Sequence, residues 1–181
     1  MDQIAKQERS RKRIEIILET AEKILLEDGI DQITIANISN RSGLKRTSTY
    51  KFFQTPEAIK SMLISNYLNM CALDFEEKTS NINTSEPSVV VMRSVEILFN
   101  FYSEHESAQK LLLSSSAILP VEKEPFHNLS NKIQSFVEMN LSLPDIFNKD
   151  GVFRVITQII LSIFALNTKE SGSLNEVGKI E

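Results

Sequence analysis

The sequence predicts an all-α protein, in which a three-helix head containing a helix-turn-helix is joined by a long helix to a helical-bundle body. Apolar residues recur every three to four positions along most of the chain, which is the period of a helix buried on one side. Glycine and proline fall at the ends of these periodic stretches, where they start or stop helices. No stretch combines the length and the alternation of a β-strand.

The head is predicted from three short segments. A first helix over about residues 10–28 ends at Gly29, a residue suited to the left-handed position after a helix. Thr34 can cap a second helix, because its hydroxyl accepts a hydrogen bond from a free backbone N–H. Gly43 ends that helix at a tight turn, and a third helix covers about residues 45–52.

The body is predicted as a series of longer helices. Thr55 and Pro56, an N-cap and a proline in the first turn, start a helix that reaches about residue 78. Ser103 and Glu106 have the spacing of a capping box, which predicts a helix over 104–118 after one over 87–102. A connection at 120–125, a helix over 126–141, and a final helix over 151–167 capped by Asp150 follow. We expect three parts: a head at 1–54, an effector-binding and dimerisation body at 55–168, and a flexible tail at 169–181.

The third helix carries the clearest chemical signal. Its seven consecutive polar residues include no acid, and they are Lys45, Arg46, Thr47, Ser48, Thr49, Tyr50 and Lys51. Hydroxyl groups and basic side chains can donate to phosphate oxygens, and Arg46 could donate two hydrogen bonds to a guanine edge. The sequence therefore predicts a helix that enters the major groove of double-stranded DNA.

A second basic cluster precedes the first predicted helix and extends into it. Its members are Lys6, Arg9, Arg11, Lys12 and Arg13, with Glu8 as the one opposing charge. Such an N-terminal arm can lie along a phosphate backbone or enter a minor groove. The alternative is a solvated helix start, which is the commoner outcome for a charge run.

The head resembles the DNA-binding head of the TetR family of transcriptional regulators over roughly the first sixty residues. The matching residues, in order, are Arg13, Ile17, Ala21, Leu25, Gly29, Thr34, Ile38, Gly43, Leu44, Tyr50, Phe53, Glu57 and Ile59. The resemblance implies DNA contacts at Thr34, at the third-helix residues Arg46, Thr47, Ser48, Tyr50 and Lys51, and at the polar starting position, Lys45. It also implies a dimeric repressor whose operator binding responds to a small-molecule effector.

The sequence departs from the family pattern at four positions. Ser39 stands where the family usually has alanine, Thr47 replaces a small residue, and Thr49 replaces an aliphatic one. Pro56 occupies the position of a lysine that commonly contacts phosphate, so one electrostatic contact with DNA is lost. These departures support an alternative, a helical ligand-binding or adaptor protein whose head has lost DNA binding.

The charge distribution is compatible with binding DNA at one end of the chain. The net charge is −4, but residues 1–67 carry eleven basic and nine acidic side chains, whereas residues 68–181 carry nine and fifteen. The single cysteine, Cys71, excludes an intrachain disulfide and suits a reducing compartment. The chain starts without a signal peptide, and its longest apolar run, 152–166, is interrupted by Arg154 and Gln158. We expect a cytoplasmic protein with no membrane partner.

The final helix is apolar on nearly every side, which requires either a central position in the body or a partner chain. The resemblance favours the partner, because members of the family pair through their last two long helices as a two-fold four-helix bundle. We therefore expect a homodimer. The interface candidates are Ile133, Val137, Phe153, Ile156, Ile160 and Phe164.

An effector cavity is expected between the body helices, again from the resemblance. Methionine and aromatic side chains make adaptable linings for small apolar ligands. The candidates are Met70, Phe75, Met92, Phe99, Tyr102, Phe136 and Met139, although such residues at helical spacing more often form the core.

No catalytic residues, metal site or cofactor is expected. The sequence has no zinc-protease motif, phosphate-binding glycine loop or nucleophile elbow. Glu124 and His127 have the spacing of half a diiron site, but the second half is missing and Pro125 lies between them.

Overall fold

The computed structural model describes residues 2–115 and 123–180, and over that part of the chain it is all-helical, which confirms the predicted fold class. The chain divides into two compact units, Met1–Leu63 and Ile64–Glu181. A short 3-10 helix, Ile30–Gln32, follows α1. The α-helices are α1 (Asp2–Asp28), α2 (Ile35–Ser42), α3 (Arg46–Phe52), α4 (Pro56–Thr79), α5 (Pro87–Glu104), α6 (Glu106–Ser115), α7 (Lys123–Asn140), α8 (Lys149–Ser171) and α9 (Val177–Ile180).

Helix α1 begins eight residues earlier than the sequence predicted, at Asp2 instead of residue 10. The basic segment is therefore helical and is not an extended arm. Its residues are mostly Gln, Lys, Glu, Arg and Ala, which favour helices, and neither glycine nor proline interrupts them. The helix ends where predicted, and Gly29 takes a positive φ of 90° that a residue with a side chain rarely adopts.

The core of unit 1 is formed by the predicted inward faces of its helices. The fully or nearly fully buried apolar residues are Ile17, Ala21, Ile24, Leu25, Ile33, Ile35, Ile38, Phe53, Ile59 and Leu63. Thr55 Oγ1 accepts from Ala58 N at 3.3 Å, so α4 begins with the predicted cap and Pro56 in its first turn.

The junction of α5 and α6 differs from the prediction. Ser103 lies inside α5 and does not act as an N-cap, because other side chains bind the last carbonyl groups of that helix. His105 Nδ1 lies 2.7 Å from Phe101 O, and Gln109 Nε2 donates to Tyr102 O at 2.8 Å. The predicted end of the next helix at residue 118, and the start of the 120–125 connection, fall outside the described residues.

Helix α8 is longer at both ends than predicted. Asn148, not Asp150, accepts from Gly151 N at 3.3 Å, and the helix continues to Ser171 before Gly172 takes a left-handed φ of 81°. The segment predicted as a flexible tail then packs back: Leu174 is buried, and its N–H donates to Gln109 Oε1 at 2.9 Å. The polar composition concealed this contact, because one apolar side chain and one buried amide are sufficient to hold the segment.

Candidate nucleic-acid interface

The turn between α2 and α3 is built by a cap and a glycine. Thr34 Oγ1 accepts from Asn37 N at 3.1 Å, which fixes the start of α2. Gly43 ends the helix at φ 72° and ψ 4°. A Cβ at Gly43 would meet no atom within 4 Å, so the backbone conformation, and not crowding, requires glycine there.

The inner side of α3 is fixed by two hydroxyl groups. Thr49 is completely buried, and its Oγ1 lies 3.3 Å from Ser39 Oγ on α2. Ser39 is buried as well, so each hydroxyl satisfies the other where water is excluded. The two departures from the family pattern are therefore one compensated contact, and they give no ground for doubting the helix-turn-helix.

The outer side of α3 is polar, basic and accessible. Lys45, Arg46, Thr47, Tyr50 and Lys51 are exposed, and Ser48 is half-buried. Arg46 and Tyr50, like Thr47 and Lys51, are four residues apart and so share one side of the helix. Within the described residues, none of these side chains has a carboxylate partner, so their hydrogen-bonding groups are available to an external ligand.

Arg41 belongs to the head's own structure. Its guanidinium bridges Glu27, at 2.5 Å, and Asp28, both at the end of α1. The sequence grouped Arg41 with the basic residues near α3, but its charge is balanced within the unit. The pairing was not visible in the sequence because its partners lie thirteen and fourteen residues earlier.

The candidate cavity residues divide into two groups. Phe75, Phe99, Tyr102 and Phe136 are buried and pack edge to face, with ring centroids 5.9 Å apart for Phe75 and Phe136. Met70, Met92 and Met139 are 45%, 70% and 74% exposed. These three methionines therefore do not line an interior cavity in this structure, which corrects the prediction for them. Their helices present another side to the core, as Phe75 on α4 and Phe136 on α7 show.

The candidate interface residues also divide. Ile133, Phe153 and Phe164 are buried in their own chain and are therefore not available to a partner, which corrects the prediction. Val137 and Ile160 are half-buried, and Ile156 is exposed. The sequence could not separate the two sides of α8, because both are apolar.

The exposed side of α8 forms an apolar stripe. Its members, at spacings of three and four residues, are Val152, Val155, Ile156, Ile159, Ile163 and Leu166. The opposite side is marked by Thr157 and Thr168, buried residues whose hydroxyls donate to the carbonyl oxygens of Phe153 and Phe164 at 2.8 Å. These threonines are the sequence signal that could have shown which side faces inward.

Cys71 is buried inside unit 2. Burial raises the pKa of its thiol well above the ordinary value, and Asp74 adds to the rise while Lys78 opposes it. The neutral thiol is a poor nucleophile, so this position is unsuited to redox chemistry. Within residues 2–115 and 123–180, no group of three or more His, Cys, Asp or Glu side chains is placed to hold a metal ion.

Among the described residues, one helix, α8, has the length and apolar composition that could cross a membrane. The longest apolar run was expected to be too short, but α8 extends beyond it to 23 residues. The buried side of the helix packs into unit 2 through Phe153 and Phe164, as a core helix does.

Comparison with known proteins gives one curated sequence relative and several similar folds. The chain is 23% identical over 116 residues to the HTH-type transcriptional regulator EthR of Mycolicibacterium smegmatis, a match covering 64% of this chain and 53% of the relative. The chain thus matches about half the length of that relative. No family model matches the sequence.

Two solved structures share the fold over most of both chains. A TetR-family transcriptional regulator from Streptomyces coelicolor aligns with a TM-score of 0.65 and 16% identity, covering 93% of this chain and 90% of its own. SmeT, the repressor of the Stenotrophomonas maltophilia multidrug efflux pump SmeDEF, aligns with a TM-score of 0.60 and 16% identity, covering 90% and 81%. At this identity the likeness shows a common all-helical fold.

Proposed function

We propose that this chain, which the sequence match and the shared fold identify as a TetR-family transcriptional regulator, binds a double-stranded DNA operator as a homodimer and acts as a repressor. The observation that carries the proposal is the outer side of α3. Its basic and hydroxyl side chains are exposed and unpaired with carboxylates, while a buried hydroxyl pair and a left-handed glycine hold the helix against α2.

In this proposal α3 lies in the major groove. Arg46 donates two hydrogen bonds to a guanine edge, which supplies sequence readout. Lys45, Thr47, Ser48, Tyr50 and Lys51 donate to phosphate oxygens, and Thr34 at the start of α2 adds a contact from the neighbouring helix. Phosphate contacts set the position of the helix on the duplex, and base contacts set the sequence that it prefers.

The homodimer is proposed from the apolar stripe of α8. Six apolar side chains on one side of a 23-residue helix face solvent in the single chain. A two-fold partner would cover the stripe with the same residues of a second copy, as in a helical bundle. Two heads related by that symmetry would read two half-sites about one DNA turn apart, roughly 34 Å.

The effector is proposed to bind in unit 2. A small molecule that favours one arrangement of the dimer would change how well both heads fit the operator together, so DNA affinity and ligand affinity would be coupled. An effector should raise the melting temperature and shift operator affinity in the same preparation. A compound library that changes neither would remove this part of the proposal.

A cytoplasmic location is proposed with the DNA-binding function. The buried, reduced Cys71 is consistent with a reducing compartment. No catalytic activity is proposed, and the relatives are described as regulators.

The second candidate is a helical adaptor whose head has lost DNA binding. Pro56 removes a basic residue from the start of α4, and Arg41 is neutralised by Glu27 and Asp28. Genome-wide footprinting with the intact protein separates the two candidates. A regulator gives discrete protected sites that share a two-fold symmetric sequence, including sites near its own coding region. An adaptor gives no site above the non-specific background.

A further inference from the structure

The first four turns of α1 project beyond the core of the head. None of residues 4–16 is buried, whereas Ile17, Ala21 and Ile24 are completely buried. At 1.5 Å per residue this overhang is about 20 Å long. A helical segment that buries nothing gains no stability from packing, so it persists because it continues an already packed helix. Its surface is available to a partner.

A cationic stripe runs along one side of the overhang. Lys6, Arg9 and Arg13 are exposed and lie at spacings of three and four residues, so they share one side of α1. In the described part of the chain none of the three has an ion-pair partner. Continuing at the same spacing, the stripe becomes the buried Ile17, Thr20 and Ile24. The side that packs on the head therefore turns basic once α1 leaves the core.

The acidic residues of α1 lie elsewhere. Glu8, Glu15 and Glu19 are spaced by seven and four residues on the opposite side, and Arg11 pairs with Glu15 at 3.1 Å. Asp2, at the first residue of the helix, is the one carboxylate in register with the cationic stripe. This segregation of charge presents three unopposed cations to whatever lies on the core-facing side of the overhang.

We propose that Lys6, Arg9 and Arg13 bind the phosphate backbone of DNA flanking the half-site read by α3. The proposal rests on the proposed operator binding and extends its footprint. A polyanion is the partner that complements a row of unpaired cations. A membrane surface is disfavoured, because a helix that lies in a lipid interface needs an apolar side opposite its basic side, and here that side is acidic.

The stripe should add affinity without adding sequence preference. Each neutralised phosphate contributes about 0.9 to the slope of log affinity against log salt, so three contacts contribute roughly 3 per head. The triple variant Lys6→Gln/Arg9→Gln/Arg13→Gln should lower that slope by this amount. It should weaken operator and scrambled duplex by the same factor, so the preference for the operator is retained.

The matched control removes three exposed cations of α1 that are not on the stripe, in the variant Arg11→Gln/Lys12→Gln/Lys23→Gln. It has the same net charge as the stripe variant, and its salt slope should stay near that of the unmodified protein. Circular dichroism and light scattering check that both variants keep their helices and assembly. An equal fall in slope for both variants would attribute the effect to overall charge and overturn the proposal.

A second measurement uses the unmodified protein. Trimming the base pairs that flank the two half-sites should reduce its affinity and its salt slope, and the stripe variant should be insensitive to the trimming. Equal affinity for long and trimmed operators would overturn the proposal. So would a stripe variant that loses binding to anionic phosphatidylserine vesicles but keeps its salt slope on DNA. If the unmodified protein does not distinguish operator from scrambled duplex, the proposed function itself fails.

Discussion

Two buried hydroxyl groups, Ser39 Oγ and Thr49 Oγ1, connect α2 to α3 at a separation of 3.3 Å. Each was an isolated departure from the family pattern in the sequence, and only the fold shows that they face each other. Contacts of this kind join positions ten residues apart across a turn, so a helix-by-helix reading of the sequence does not pair them.

Removing one hydroxyl should be more damaging than removing both. Ser39→Ala or Thr49→Val leaves a buried polar group unsatisfied and should lower the free energy of unfolding by about 1 kcal/mol, at the low end because the contact is long. The double variant should recover most of that loss. Urea denaturation of the four proteins gives the coupling energy, and strictly additive losses would show that the two groups do not interact.

Cys71 predicts a pH dependence of stability. Burial raises the pKa of its thiol in the folded protein, so the folded state keeps its proton where the unfolded chain loses it. The resulting stability is fully present below the ordinary thiol pKa of about 8.5 and is lost as pH rises above it, by at most about 1.4 kcal/mol per pH unit. Cys71→Ala should make the decline between pH 8 and 10 shallower in urea denaturation. Equal pH profiles for both proteins would contradict this.

At the scale of elements, the sequence was sufficient where local signals act alone. Thr34 and Gly43 bound α2 as predicted, and Thr55 with Pro56 starts α4. It was insufficient where two local signals competed, as at Ser103, whose capping box lost to the side chains that bind the end of α5.

Helix α8 shows a second kind of limit. Its length and character followed from composition, but the choice of inward side did not, since Phe153 and Ile156 are equally apolar. That choice depends on which neighbours the rest of the body supplies. The three buried interface candidates were misassigned for this reason.

The exposed stripe of α8 gives a direct prediction about assembly. Ile159 is 53% exposed near the centre of the stripe, so Ile159→Glu should fold normally but place a charge in the proposed interface. The variant should be monomeric at micromolar concentration in light scattering, where the unmodified protein is dimeric. Gln158→Glu adds the same charge on the polar side of α8 and should remain dimeric. A dimeric Ile159→Glu protein would place the interface elsewhere.

At the scale of the whole molecule, assembly and DNA binding should be linked. Two heads held in one dimer bind two half-sites with the second event made intramolecular, which raises affinity by roughly 100-fold or more. The Ile159→Glu monomer keeps α3 intact, so it should bind an isolated half-site as one head of the dimer does. Its affinity for the full operator should fall by at least that factor in a gel-shift titration. Full-operator affinity equal to that of the dimer would mean that one head is sufficient.

The central claim is that the outer side of α3 reads the operator. The measurement that tests it most directly is a fluorescence anisotropy titration of the operator found by footprinting and of a scrambled duplex, with the unmodified protein and with Arg46→Ala. Losing a bidentate arginine–guanine contact should cost about 1–3 kcal/mol of discrimination, roughly a 10- to 100-fold smaller preference for the operator. Arg11→Ala, which removes an exposed arginine of α1, should keep the preference. An Arg46→Ala protein that distinguishes the two duplexes as well as the unmodified protein does would contradict the claim.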